Sequence, residues 1–519
     1  MKASISERRA AWFLPLAIAA VVLMLYCTRW GSGLGGDSFY YVSGARHLTQ
    51  GLGFTRPTGD GGTRPITHFP PLYSLALTVP VSADVEVTAA ARWLNALLLG
   101  SSVLLTGLIA LRITGSTWLA LAGQAAVMLA PVMLEVHSWV LSEPLFLTIL
   151  LAFLLSLVHA AQRDRMALYV VCGVLASLAW FTRYVGSAVI AAGLVALLFW
   201  PGRPWRSRIR QGLAFAVGCL PVPTLWLLRN WMVSGALTNR ALEVHWVTLA
   251  TLREGLGVMA LWLLPASIPS RVRLVLFLLG GLALMVGSAW LIWHQPRPED
   301  EVRVASDATA GVWVLSVFAL AYAVLLLLSL SFLDASTALD DRMLSPLYPV
   351  GVMLALVVSR GLFDRAGRPH ALQATGSIVL VAFVALTAWR GWGTVRALAK
   401  DGQGYASRSW HQSTLVAAIR ALPDGIPIYS NELDGIYLLT GRPAFMVPIR
   451  WDPMRAAPRA DFEVQLALMR QRLFGEGGVL VLFPSLARQE SFLPSEAELT
   501  AGLAVALTSA EGVIYSAPE

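Results

Sequence analysis

Asp37 stands in GGDSFYYVSGARHL (residues 35–48), just beyond the first long apolar run, and is the first of two acids placed to act on a substrate. A carboxylate at a membrane boundary that faces a cavity can take a proton from a bound hydroxyl. The plain structural reading is a helix N-cap, since Asp favours that position. Glu143, in HSWVLSEPLFLTIL (137–150), precedes Pro144 at the start of another apolar run. The helix dipole alone favours an acid there, but two acids on one face also suit base and sugar-hydroxyl roles.

The basic residues with a matching placement are Arg64 and His68 in RPITHFPPLYSLAL (64–77), Arg183 in FTRYVGSA (181–188), Arg229 in LWLLRNWMVSGALTNR (225–240) and Arg342 in ALDDRMLSPLYP (338–349). Singly, an arginine at a span end snorkels to the interface. Together on one side of a membrane they suit an anionic ligand, a phosphate above all. Arg64, Arg183, Arg342 and His68 are the candidates for that phosphate. Tyr40 and Tyr41 beside Asp37, Arg229 with Asn230, and Asp341 beside Arg342 are the candidates for the rest of the substrate. Pro70 and Pro71 read as the end of a loop and the first turn of a helix.

The elements that must position these residues are set by composition. Of 519 residues, 56% are hydrophobic and 13% charged, against about 25% charged in an average soluble domain. That is a polytopic helical membrane protein. The net charge of +8 does not imply nucleic acid, because the basic residues sit in short loops between apolar runs, where they set membrane orientation. Cys27, Cys172 and Cys219 lie inside apolar runs and read as small core residues, not as a disulfide framework or metal site.

A span needs about 20 apolar residues. Candidates are 11–29, 88–111, 117–134, 143–161, 167–182, 186–200, 212–229, 272–293, 311–332, 345–360 and 372–390, about eleven in all, with the first retained as a helix. The segment 253–268 is short and contains Pro265 and Pro269. Lys2, Arg8, Arg9, Arg163, Arg165, Arg203, Arg206, Arg208, Arg210, Arg360, Arg365 and Arg368 all fall inside if that segment does not cross. This gives a cytoplasmic N-terminus and an extracytoplasmic C-terminus. The loops at 30–87, 135–142, 183–185, 230–271 and 333–344 then share the outer face with the candidate residues. Loop 30–87 is too long for a connector and is expected to hold interfacial helices.

Composition changes near residue 395, dividing the chain into a membrane catalytic domain, 1–394, and a C-terminal extracytoplasmic α/β domain, 395–519. SWHQSTLVAAIRALPDG and NELDGIYLLTG read as helices, and IPIYS, AFMVP, GGVLVLF and VIYS as strands. With neither a Gly-rich phosphate loop nor a nucleophile elbow, this domain reads as a recognition or lid module.

Taken in order, GGDSFYY with ARHLTQGLGF, then HFPPLYSL, SEPLF, FTRYVG, WLLRN and DRMLSPLYP, resemble the GT-C membrane glycosyltransferases over about residues 10–390. The likeness is to bacterial proteins similar to dolichyl-phosphate-mannose protein mannosyltransferases and to the lipid A aminoarabinose transferase. The resemblance implies Asp37 as the catalytic base, and a polyprenyl-phosphate-linked sugar as donor. The acceptor would be a lipid, glycan or protein at the outer face of a bacterial cytoplasmic membrane. It implies neither cofactor nor metal. Two departures stand out. The mannosyltransferases carry an acidic pair where Asp37 is followed by Ser38, and the aminoarabinose transferase has a lysine directly before its Pro-Pro where this chain has Phe69. The competing readings are a transporter or flippase of an anionic substrate, and a sensor or assembly protein. The first should show an inverted repeat and midplane charges, which the sequence lacks; the second leaves loop 30–87 without a task.

Overall fold

The computed structural model describes residues 11–238, 244, 246–293, 302–332, 338–365, 370–452, 457–489 and 491–518. Lys2, Arg8, Arg9 and Arg368, used above to orient the chain, lie outside the described residues.

Among the described residues, six helices are long and apolar enough to cross a bilayer: Val87–Thr114, Glu143–Arg163, Ser270–Trp293, Asp307–Phe332, Leu347–Asp364 and Ala374–Asp401. Two further stretches, expected as unbroken spans, are bent pairs. Thr117–Met128 and Pro131–Ser138 meet at 53°, and Trp205–Cys219 and Pro221–Ser234 at 42°. Pro131 and Pro221 open the second member of each pair, where a proline that lacks its N–H cannot continue the preceding ladder. The expected count of about eleven also includes Ala11–Cys27, Met166–Thr182 and Tyr184–Leu198, three apolar helices shorter than a full span. The ambiguous segment is the 15-residue helix Leu249–Leu263, shorter still than a bilayer requires.

Helices pack through small residues where their backbones approach. A Cβ on Gly173 would strike the carbonyl of Phe215, and one on Gly218 that of Val170, so these glycines seat Met166–Thr182 directly on Trp205–Cys219. The main core gathers Phe146, Phe153, Phe215, Phe318 and Tyr322 with their aliphatic neighbours. All three cysteines are free and buried.

Loop 30–87 has structure of its own. Helix Gly36–Thr49 is followed by a hairpin, Thr55–Pro57 against Thr63–Pro65, and by helix Leu72–Val81, whose N-cap is Pro71. Toward the C-terminus, helix His370–Asp401 runs through the expected boundary at 394, and a five-stranded mixed sheet follows. Its strands are β1 (Ile428–Ser430), β2 (Phe445–Met446), β3 (Val479–Leu482), β4 (Ala504–Ser509) and β5 (Gly512–Ser516), in the order β2-β1-β3-β5-β4. β1 pairs parallel with β2 and β3, while β5 runs antiparallel to β3 and β4. Helices Thr414–Ala421, Leu433–Thr440 and Phe462–Gly475 accompany it.

The C-terminal region is stitched to the first loop. The Tyr405 N–H donates to the Leu34 carbonyl at 3.0 Å, and Gly33 exchanges backbone bonds with Ser138 and Val140 at 2.7 and 2.8 Å. The Trp139 ring lies between these segments, against Gly33, Gly35 and Gly404.

Candidate active site at the mouth of the first loop

Asp37 lies in the first turn of helix Gly36–Thr49, but it is not the cap. That position is Gly35, and Ser38 does the capping work: its Oγ accepts from the Gly35 N–H at 3.0 Å and donates to the Val140 carbonyl at 2.9 Å. Ser38, the residue that departs from the acidic pair, therefore pins the helix start to segment 139–142. The Asp37 carboxylate instead meets Arg342 Nη2. Arg342 sits on the one-turn helix Asp341–Leu344, which Asp340 caps by accepting from the Met343 N–H at 2.9 Å.

Arg342 also reaches Glu143 through its Nε, and Arg183 Nη1 forms a second ion pair with the same Glu143 oxygen. Four charges thus converge from four separate parts of the chain, two carboxylates against two guanidiniums. Their exposures divide the roles. The Glu143 side chain is 2% exposed and that of Arg183 13%, whereas Asp37 and Arg342 are 30% and 32% exposed. The inner pair is a desolvated anchor and the outer pair meets the solvent. Behind Glu143, Ser142 Oγ lies 3.5 Å from Glu143 Oε2 and 2.8 Å from the buried Tyr41 hydroxyl. Arg183 Nη2 makes a long contact, 3.5 Å, with the Met343 sulfur, and Nη1 faces Glu143 without the alignment of a hydrogen bond.

A cavity of about 350 Å³ opens at this cluster, lined by Gly35, Gly36, Trp139, Asp37 and Arg342. Glu135, Asp340 and Asp341 add carboxylates to its lining. Burial pushes the Asp341 carboxyl above its usual range, although Trp262 Nε1 donates to it at 2.6 Å. Among the described residues no three His, Cys, Asp or Glu side chains come together as a metal centre requires.

The other sequence candidates are placed differently. Arg64 stands exposed on the hairpin, opposite Arg56. His68 packs edge-on to Tyr40 with centroids 4.6 Å apart and against Phe69 at 4.5 Å, so this aromatic group adjoins Asp37 through Tyr40. Arg229 is committed to the loop backbone: it donates to the carbonyls of Ile66 at 2.8 Å and Phe54 at 3.2 Å, and lies over Trp226. Asn230 is fully buried and donates to the Thr67 and Leu237 carbonyls. These two hold the hairpin loop onto the helix pair at Trp205–Ser234. Trp139 and Trp262 give no signal in the sequence, because an apolar context hides an aromatic whose importance is a single contact, while Glu135, an acid at the end of an apolar run, was open to the same reading as Glu143.

The chain matches no family model, and no curated protein matches it in sequence. Solved structures do match. ArnT from Cupriavidus metallidurans bound to undecaprenyl phosphate aligns at a TM-score of 0.58 and 16% identity, over 98% of this chain and 99% of that one. The apo state of the same protein gives 0.58 at 15% identity. The fold is GT-C. The archaeal oligosaccharyltransferase AglB from Archaeoglobus fulgidus, in complex with an inhibitory peptide and a dolichol-phosphate, aligns at 0.52 and 13% identity, over 92% of this chain and 70% of that one. A GT-C fold together with the apolar spans makes this an integral membrane protein.

Proposed function

We propose that this chain is a glycosyltransferase that moves a sugar from a polyprenyl-phosphate donor to an acceptor at the outer face of a bacterial cytoplasmic membrane. The observation that supports it most is Arg342, shared between Asp37 and Glu143 at the rim of a cavity within a GT-C fold. The lipid tail would lie among the apolar helices and the anomeric carbon would emerge beside Asp37. The N-terminus would be cytoplasmic and the region after residue 394 extracytoplasmic, acting as a lid or recognition module.

In this reading Asp37 takes the proton of an acceptor hydroxyl as that oxygen bonds to the anomeric carbon. The carbon–oxygen bond to the phosphate breaks, its electron pair leaves with the polyprenyl phosphate, and configuration inverts. The leaving group is an anion that needs positive charge more than a proton. Arg342 supplies it from the solvent side and Arg183 from within. Glu143 is too buried to hold a sugar hydroxyl; its role is to fix the two guanidiniums in place. Tyr40 and His68 form a ring surface suited to a sugar face, and the acceptor is a lipid, glycan or protein.

The test is to purify the protein in mild detergent and identify its bound lipids by mass spectrometry, with Asp37→Asn alongside to retain uncleaved donor. A polyprenyl monophosphate bearing one sugar, enriched in the variant, is expected. Only ordinary phospholipids in both, even after polyprenyl donors are supplied, would reject the reading.

A further inference from the structure

Helix Leu249–Leu263 has 15 residues, about 22 Å at 1.5 Å per residue, and does not reach across a bilayer. Its contacts show what it does instead. It grips the segment that bears Arg342 at two points. Gly255 lies against Leu339, so closely that a Cβ there would stand 2.9 Å from Leu339 Cδ1. One end of the helix later, Trp262 Nε1 donates to Asp341 Oδ1 at 2.6 Å. Trp262 is held in turn: its carbonyl accepts from Arg390 Nη1 at 3.1 Å, and its ring meets Tyr348 edge-on at 5.7 Å.

The hydrogen bond matters because Asp341 and Arg342 are neighbours on one helical turn at the rim of one cavity. A released carboxylate at 341 would compete with Asp37 and Glu143 for the same guanidinium. An indole N–H is a donor only, so it occupies the carboxylate without offering it a counter-charge. We propose that helix Leu249–Leu263 is a positioning element of the site and Trp262 its positioning residue, holding Asp341 aside so that Arg342 serves Asp37 and Glu143 alone. This rests on the glycosyltransferase reading for its activity readout, but the contact itself does not.

Trp262→Phe keeps the ring against Tyr348 and removes the N–H. It is expected to lower kcat roughly tenfold or more, the scale of one lost hydrogen bond to a charged group, with donor KM little changed. Asp341→Asn in the same chain removes the competitor, so the double variant is expected to be no slower than Asp341→Asn alone. Wild-type turnover by Trp262→Phe, or two effects that simply multiply in the double variant, would overturn the proposal. If Trp262→Phe does not fold, 3-benzothienylalanine at position 262, isosteric but without the N–H, goes through the same comparison. The Trp262 Nε1–H resonance reads the contact without turnover and is expected to move on Asp341→Asn; an unmoved resonance also overturns it. A wild-type chain that transfers no sugar while that resonance moves counts against the functional reading and not against the contact.

Discussion

Asp37 and Glu143 look alike in the sequence, each an acid at the edge of an apolar run, and the structure separates them. Asp37 is a third exposed and reaches one guanidinium; Glu143 is sealed and reaches two. Asp37→Asn is therefore expected to retain donor binding and to lose transfer by about 10²–10⁴-fold, the usual weight of a general base, in a single-turnover assay with bound donor. Glu143→Gln should act on stability as well. It leaves Arg183 buried without its counter-charge, and breaking a buried pair costs about 3–5 kcal/mol, which a lowered melting temperature in detergent would register. Arg342→Lys keeps the charge but loses the fork that spans both acids, so transfer should fall while the fold persists. The types and placement of Asp37, Glu143, Arg183 and Arg342 were legible in the sequence, because a charge at a membrane boundary stands out against apolar surroundings. Their pairing was not. Arg342 meets partners about 200 and 300 residues away in the chain, and packing alone brings them together. Arg229 shows the same limit from the other side: by type it suits a phosphate, yet its donors go to loop carbonyls.

The elements that carry these residues are also held in register by glycine and tryptophan. Gly404 has a φ of +51° and faces the Leu34 carbonyl so closely that a side chain has no room, and its other neighbour is the Trp139 ring. Gly404→Ala is expected to cost at least about 1–2 kcal/mol from the left-handed backbone alone, and more from the clash. Trp139 would be displaced from the cavity lining. The check is hydrogen exchange at segments 33–36 and 139–142, expected to quicken together. Hydropathy found the apolar stretches, since burying or spanning requires them, but it averages over direction and so missed the bends. Pro131 and Pro221 sit at those bends, a residue-type signal that hydropathy does not weigh. Of the C-terminal region, the short segments IPIYS, AFMVP, GGVLVLF and VIYS showed β1, β2, β3 and β5, while β4, mostly exposed, was not read as a strand.

At the scale of the whole molecule, the question is how the C-terminal sheet region and the first loop stay together, and a carboxyl at their contact gives the means to ask it. Asp434, at the start of helix Leu433–Thr440, lies against Gly36, whose Cβ, were there one, would be 3.0 Å from its Oδ2. Burial, then the charges of Glu432 and Asp37, push the Asp434 carboxyl up to about 6. Tyr40 and Tyr405 also face it, the latter donating to Glu432. A carboxyl that is harder to ionise when folded binds its proton more tightly in the native state than in the unfolded chain. Stability from Asp434 is then greatest below about 4, its ordinary range, and is lost as pH rises through about 6. The melting temperature of the wild type relative to Asp434→Asn is expected to fall between pH 4 and 6.5 and to level off above pH 7. A flat difference across that range would mean that Asp434 is not desolvated by the first loop, and that the contact at Gly36 is looser than the backbone stitching at Leu34 and Tyr405 implies. The melting temperature thus reads the docking of one region on the other through a group that touches the helix of the candidate base, which is why a change in that docking should also be felt at Asp37.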